Sequence, residues 1–284
     1  MPTTIQNQQF DGERALYALR DAELSGCLFE GDADGESALK ECRGIKAHNC
    51  KFALRYPLWH AEDFLLTDCT LTESARAPMW YTSLGTVRHC RIDAPKVLRE
   101  STDTLIDSSV IHSSEFGWKC NGLRVRSSLI ESDYLFFESK DLEISKLHMK
   151  GKYSFQYVEN GTLEDSILDT KDAFWHAKNL CVRGCRIQSE YLGWYSENLT
   201  LIDCHIVGTQ PLCYCKGLRL IGCTVEGADL AFEYSDVHAE IRGRIDSVKN
   251  PRSGLIRADE IGEIIRENSV MDTDCRIELI TSNT

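Results

Sequence analysis

Three columns of residues recur along this chain every 19 positions, and few folds accommodate such a repeat. The small residue of the pattern falls at Cys50, Cys69, Cys90, Ser109, Ser128, Leu147, Ser166, Cys185, Cys204 and Cys223, with spacings of 19, 21 and then 19 throughout. Three residues before it runs an apolar column: Ala47, Leu66, Val87, Ile106, Val125, Ile144, Leu163, Val182, Leu201 and Leu220. Two residues after it runs another: Phe52, Leu71, Ile92, Ile111, Ile130, Met149, Leu168, Ile187, Ile206 and Val225. Polar residues such as Lys51, Arg91, Arg126 and Arg183 alternate with them. Period two is the mark of strands with one buried face, and a sustained short period is the mark of a solenoid.

The repeat is too short for a strand and a helix, and no 3.6-residue period runs through it. Three short strands with three bends fit. Six-residue repeats build left-handed coils, 19 is not a multiple of six, and parallel crossovers favour the right hand. The expected fold is all-β: a single-stranded, right-handed parallel β-helix of about 12 rungs. One domain is expected over 1–284, with a cap and first rungs in 1–35, regular rungs in 36–236 and capping rungs in 237–284.

A further column, six residues before the small one, reads Asp63, Asp103, Gly122, Asp141, Asn160, Asn179, Asn198 and Gly217, with Leu84 the exception. These residue types tolerate left-handed backbone, so a tight corner is expected there, with the asparagines stacked and hydrogen-bonded along the ladder. The two extra residues between Cys69 and Cys90 should bulge near Glu73–Pro78. Leu24, Cys27 and Phe29 look like an earlier copy, with an inserted turn at Gly31–Gly35. After Cys223 the register fails. Ile241, Ile245, Leu255, Ile256, Ile261, Ile264 and Ile265 suggest wider terminal rungs, with a turn at Asn250–Gly254 covering the open end.

The net charge is −12, which disfavours a nucleic-acid partner because phosphate recognition needs a basic surface. No long apolar run exists to span a membrane. The first ten residues lack the basic start and apolar core of a secretory signal, so a cytoplasmic location is expected. Thirteen cysteines, an odd number, then read as reduced thiols filling a narrow core. Phosphate loops, nucleophile elbows and dinucleotide fingerprints are missing from the sequence. No cofactor and no metal are expected: His60 and His176 share a column six rungs apart, and Cys213 and Cys215 have no matching second pair.

Several motifs resemble those of an uncharacterised bacterial family of β-helix proteins, a domain of unknown function within the pectate-lyase-like superfamily. They are Gly12-Glu13-Arg14-Ala15-Leu16, Tyr56-Pro57-Leu58-Trp59, Ala94-Pro95-Lys96, Asp172-Ala173-Phe174-Trp175, Glu190-Tyr191-Leu192-Gly193-Trp194, Ala231-Phe232-Glu233-Tyr234-Ser235 and Asp246-Ser247-Val248-Lys249-Asn250-Pro251. The resemblance spans nearly the whole chain. It implies the fold and supplies no catalytic residues; the lyases and hydrolases of the superfamily are a fold-level analogy.

The third strand of each rung carries the unusual chemistry. Its small column is Cys42, Ala61, Thr82, Ser101, Cys120, Ser139, Val158, Ala177, Ser196 and Cys215. Two residues earlier stand Trp59, Trp80, Arg99, Trp118, Phe137, Gln156, Trp175, Trp194, Cys213 and Phe232, a column that holds all five tryptophans. Between them lie Glu41, His60, Tyr81, Glu100, Lys119, Glu138, Tyr157, His176, Tyr195, Tyr214 and Glu233. Strand alternation would place this last column outside, on one face with Leu58, Met79, Leu98, Phe136, Phe155, Phe174 and Leu212, and would set the tryptophans on the opposite face with the small residues. Arg99 and Gln156 in the tryptophan column argue against its full burial, because an unpaired buried charge is costly, so whether that column faces the core stays open.

The candidate ligand-binding residues are therefore Tyr81, Arg99, Glu100, Lys119, Glu138, Tyr157, His176 and Tyr195. Flat rings and hydrogen-bonding tips suit an extended carbohydrate. An aromatic and charged ladder that merely stabilises the sheet has the same appearance. Three functions remain open: a carbohydrate-binding protein, a carbohydrate-active lyase or hydrolase on the same strip, or an interaction scaffold, with oligomerisation possible. A hydrolase would need two carboxylates ~5–10 Å apart; Glu100 and Glu138, two rungs apart with Lys119 between them, are the available pair.

Overall fold

The computed structural model describes residues 3–280. The chain divides into two compact units, Met1–His148 and Met149–Thr284. Both are parallel β-solenoids without helices among the described residues, and their crossovers take the right-handed sense of parallel connections.

In the N-terminal unit the first side is built from Thr3–Gln6, Arg20–Ser25, Arg43–His48, Glu62–Thr67, Ser83–Arg88, Leu105–Asp107, Arg124–Arg126 and Lys140–Ser145. Each pairs in parallel with its neighbour one turn on, so that Leu24 meets Ala47, Ala47 meets Leu66 and Val87 meets Ile106. In the C-terminal unit the corresponding strands are Glu159–Glu164, Lys178–Arg183, Thr200–Ile202, Leu218–Glu226, Asp236–Lys249, Ser253–Ile265 and Arg276–Leu279. Leu163, Val182, Leu201 and Leu220 stack there in register.

About fifteen turns result, against the 12 expected from the repeat. The first, with Ile5 beneath Leu24 and Phe10 stacked on Phe29 at 5.4 Å, was hidden because Gln8 stands where later rungs have a small residue. The last rungs depart from 19 residues in both directions: the final one is wider, as expected, with Leu255 paired to Arg276 at an offset of 21, and the one before it is narrower. His238 pairs with Leu255 and Ile245 with Ile261, offsets of 17 and 16. First and second strands fuse there into the 14-residue strand Asp236–Lys249, and the corner residues are dropped. The turn is shorter than expected: Asn250–Arg252 makes it, and Ser253 and Gly254 already belong to the next strand. The insertion between Cys69 and Cys90 lies where expected, in the turns between Leu71 and Met79.

Two left-handed corners flank each regular first strand. The column Asp63, Leu84, Asp103, Gly122, Asp141, Asn160, Asn179, Asn198 and Gly217 has φ between 48° and 69° wherever it begins such a strand, Leu84 included. Asn179 Nδ2 donates to Asn160 Oδ1 at 3.1 Å, and Asn198 Nδ2 to Asn179 Oδ1 at 3.0 Å, the expected amide ladder. The second corner, at Asn49, Asp68, His89, Ser108, Asp165, Gly184 and Asp203, carried no clear compositional mark because its side chains are so varied.

This second corner explains the Ser/Cys column that follows it. The corner turns the next backbone N–H inward, away from any strand partner. The Cys90 N–H donates to Ser109 Oγ at 3.1 Å and the Ser109 N–H to Ser128 Oγ at 3.1 Å, while Cys50 and Cys69 donate to the sulfurs of Cys69 and Cys90 at 3.4 Å. Each hydroxyl then donates to the carbonyl two residues back, as Ser128 does to Arg126 at 2.7 Å. A buried N–H left unpaired costs about 1–3 kcal/mol, so the position calls for a small side chain with a lone pair. All thirteen cysteines are free thiols, and all but Cys181 are buried.

Candidate functional site

The third side of the rung is mostly a coil rather than a strand. In 191–195, Tyr191, Gly193 and Tyr195 all have positive φ, and so do Asp172, Phe174 and His176 one turn before. Left-handed residues break the in-out alternation of a strand. Leu58 is buried, Trp59 is half-buried, His60 is exposed and Ala61 is buried, and this sequence repeats from rung to rung. The strand-based expectation is corrected accordingly. The column of Leu58, Met79, Leu98, Phe136, Phe155 and Phe174 faces the core with the small residues, while the tryptophan column and the Tyr/His/Glu column both lie outside it.

The small column on this side obeys the rule found at the other corner. Thr82 N–H donates to Ser101 Oγ at 3.2 Å, Cys120 N–H to Ser139 Oγ at 2.9 Å and Cys215 N–H to Ser235 Oγ at 2.9 Å. The half-buried tryptophans are satisfied as well. Each indole N–H reaches a carbonyl of the following turn: Trp59 to Ala77, Trp80 to Lys96, Trp175 to Tyr191 and Trp194 to Gln210 at 2.6–2.7 Å, and Trp118 to Tyr134 at 3.0 Å. Gln156 makes the same kind of bond, Nε2 to the Asp172 carbonyl at 3.1 Å, which is why an amide can stand in a tryptophan column.

In the N-terminal unit the outer side chains are organised by charge. Trp59 and Trp80 stack with centroids 5.6 Å apart. The Arg99 guanidinium lies 4.5 Å from the Trp80 ring and 4.8 Å from the Trp118 ring, and Nη2 is 2.5 Å from Glu115 Oε2. Lys96 joins the same carboxylate at 3.7 Å. Of the exposed column, Tyr81 stacks on His60 at 4.9 Å, and Lys119 pairs with Glu138 at 3.5 Å. Glu100 is exposed in the same column, and its backbone N–H donates to the Trp118 carbonyl.

In the C-terminal unit the outer column from Tyr157 to Tyr214 is made of rings, with the ion pair of Lys171 and Glu190 at 3.3 Å on the same side. Tyr157, His176, Tyr195 and Tyr214 form a stack with centroids 4.8–5.0 Å apart and planes within about 11° of parallel. Trp175 and Trp194 run beside it, 5.5 Å apart and 3° from parallel. Burial holds His176 below the ordinary imidazole range, with Lys178 adding to the effect and Glu197 opposing it. Burial and the nearby Glu233 carboxylate push the Tyr214 phenol up to about 12. Both shifts favour the uncharged form of His176 and Tyr214.

The eight candidate residues thus fall into two sets. Tyr81, Arg99, Glu100, Lys119 and Glu138 stand on the third side of the N-terminal unit, and Tyr157, His176 and Tyr195 on that of the C-terminal unit. The exposed column continues to Tyr234, whose ring lies 5.9 Å from Tyr214, and not to Glu233 as the fixed spacing suggested. One inserted residue moves Phe232 into the core and sets Glu233 beside Lys249, with Nζ 2.9 Å from Oε1. Sequence reading also missed Glu115, although its offset of 16 from Arg99 is the same as that from Trp80 to Lys96. Among the described residues no group of three or more His, Cys, Asp or Glu is placed to hold a metal ion.

Two concave regions lie elsewhere, on the outer face of the first side in the N-terminal unit. One of about 460 Å³ is lined by Glu23, Lys46, Leu65, Thr86 and Arg88 among others. The other, about 310 Å³, shares Glu23, Lys46 and Leu65 with it and adds Gln6, Ser25 and Thr67.

Comparison with known proteins agrees with the fold. The family described as "Protein of unknown function (DUF3737)" matches residues 3–278. No curated protein matches. Among solved structures, an alginate lyase of polysaccharide lyase family 6, in complex with a trisaccharide, superposes with a TM-score of 0.51 over 80% of each chain at 9% identity. A mannuronic acid specific family 6 lyase from human gut microbiota gives 0.45 over 100% of this chain and 76% of that one at 10% identity. The A-module of an Azotobacter vinelandii mannuronan C-5 epimerase gives 0.42 over 98% and 90% at 10% identity. At such identities the likeness is one of fold. Among the described residues no helix is long and apolar enough to cross a membrane.

Proposed function

This chain is a member of the DUF3737 family of unknown function, and we propose that it binds an extended carbohydrate along the third side of its rungs. The observation that carries this reading is the outer column itself: its side chains recur once per turn, they are exposed or half-buried, and their chemistry varies along Tyr81, Glu100, Lys119, Glu138, Tyr157 and His176 before Tyr195 and Tyr214 repeat. Tyr157, His176, Tyr195 and Tyr214 offer donors and acceptors about 5 Å apart. An extended glycan presents hydroxyls at a comparable repeat. Because the rings are stacked on one another, their faces are occupied, and recognition falls to phenol and imidazole edges rather than to sugar–ring stacking.

The β-helix lyase that superposes on this chain was solved with a trisaccharide, and that supports a carbohydrate as the first ligand class to try. The test is binding to a panel of oligosaccharides, with product analysis in the same samples to detect cleavage. Glu100→Gln, Glu138→Gln and Tyr195→Ala should each weaken a bound glycan more than about threefold. A glycan that binds all three variants as it binds the parent protein overturns the third-side location.

A further inference from the structure

The groove on the first side of the N-terminal unit is a site of different composition, and we propose that it binds a short neutral oligosaccharide. The inference shares the carbohydrate reading above but not its location. The two concave regions join through Glu23, Lys46 and Leu65 and together cross the strands Thr3–Gln6, Arg20–Ser25, Arg43–His48, Glu62–Thr67 and Ser83–Arg88. A chain lying across them meets one side chain of each outward column per turn, at the ~4.8 Å spacing of paired strands.

The lining combines a small apolar floor with polar and charged groups around it. Leu65, half-buried, is the floor. Thr86, Thr67, Ser25 and Gln6 place hydroxyls and an amide beside it, and each can both donate and accept.

Charge decides the class of sugar. The two cations of the groove are already engaged, Lys46 with Glu23 at 3.4 Å and Arg88 with Asp107 at 3.2 Å. Asp21 and Asp63 add further negative charge at its edge, and the chain as a whole carries −12. A polyuronate would have to displace one of these ion pairs and then lie against like charges. A neutral sugar meets neither obstacle. The groove therefore selects against the acidic polysaccharides named for the structural neighbours.

The experiment measures binding of the whole chain to immobilised neutral oligosaccharides (gluco-, manno-, xylo- and galacto-configured) and to oligouronates. Parent protein, Leu65→Trp, Tyr195→Ala and a Glu23→Lys/Asp63→Lys double variant are compared, with thermal melts as a check on folding. At least one neutral series should bind and oligouronates should not. Leu65→Trp, which fills the groove from an outward position, should weaken binding at least tenfold. The double variant should gain affinity for oligouronates. The inference is overturned if oligouronates are preferred by the parent, if neither class binds, or if Leu65→Trp binds as the parent does. Loss in Tyr195→Ala with an unaffected Leu65→Trp would defeat the groove and leave the third-side reading standing.

Discussion

The third sides of the two units differ both in backbone and in what holds their outer surfaces: Met79–Trp80 pairs with Leu98–Arg99 as short strands in the N-terminal unit, whereas Phe155, Phe174 and Leu212 of the C-terminal unit are themselves left-handed. In the N-terminal unit Arg99 sits between two indoles and is fixed by Glu115, and Lys119 pairs with Glu138. In the C-terminal unit the same positions carry Gln156, Trp175 and Trp194 in one column and the Tyr157–Tyr214 ring stack in the other. Beneath both lies the same inward column, Leu98 in one and Phe174 in the other, each at most 1% exposed. The same kind of inward column therefore lies beneath an ionic or an aromatic exterior. The requirement common to both is local: an inward apolar residue, a donor that reaches the next turn or an equivalent anchor, and a small residue that accepts an inward N–H.

If that division is right, the largest effects come from the shared interior and are alike in the two units. Phe174→Ala should cost about 3–5 kcal/mol and Leu98→Ala about 2–5 kcal/mol, because both open cavities in close-packed surroundings. Urea unfolding measures them. A loss below about 1 kcal/mol at either position would mean that the outer ladder, not the core column, carries the third side.

Arg99→Gln exchanges the ionic arrangement for the residue that Gln156 already is in the other unit. It removes two cation–π contacts and leaves the Glu115 carboxylate, 20% exposed, with Lys96 alone. A loss of about 1–2 kcal/mol is expected, and the parent's advantage should shrink in high salt while Gln156→Ala stays insensitive to it. Equal salt dependence of the two variants would erase the distinction between the units.

The repeat was legible wherever chemistry dictates a narrow choice. Inward positions such as Val125 and Leu201 accept only apolar groups, and the Asn160–Asn179–Asn198 corner tolerates few residue types, so both columns stood out. The third side misled because its left-handed backbone lies outside the period-two rule: nothing in the identities of Tyr195, His176 or Glu138 announces a positive φ. The terminal rungs were lost for the opposite reason. Gln8 broke the small column at one end, and fused strands dropped the corner residues at the other. The Tyr/His/Glu column was read as outward and Arg99 as part of the tryptophan column, yet the partners of Arg99 and Glu233, Glu115 and Lys249, lie about a turn away in sequence, beyond a reading of columns alone. The expectation of one domain over 1–284 predicts a single calorimetric unfolding transition; two separable transitions would count against it.

A smaller effect tests the charged surface. Lys119 and Glu138 are 53% and 43% exposed, and exposed pairs contribute ~0–1 kcal/mol. Glu138→Gln should therefore change stability by less than about 1 kcal/mol while affecting ligand binding if the third-side proposal holds. A larger stability loss would recast the pair as part of the scaffold.

The smallest effect concerns His176, between Tyr157 and Tyr195 in the ring stack. Burial disfavours its charged form, so its folded pKa lies below the ordinary value near 6.5. Below that value the unfolded chain takes up the proton before the folded chain does. Stability contributed by the neutral ring is complete above the unfolded pKa and falls as pH is lowered through the folded one. Partial exposure keeps the effect small. His176→Phe, which keeps a ring in the stack and cannot titrate, should flatten the decline in unfolding midpoint between neutral pH and pH ~5 relative to the parent. A proton-resolved titration should place the His176 midpoint below that of an unperturbed imidazole. If the variant instead declines as steeply as the parent, or His176 titrates above the ordinary range, the neutral character assigned to His176 in the C-terminal ladder is wrong, and with it the contrast to the ionic ladder of the N-terminal unit.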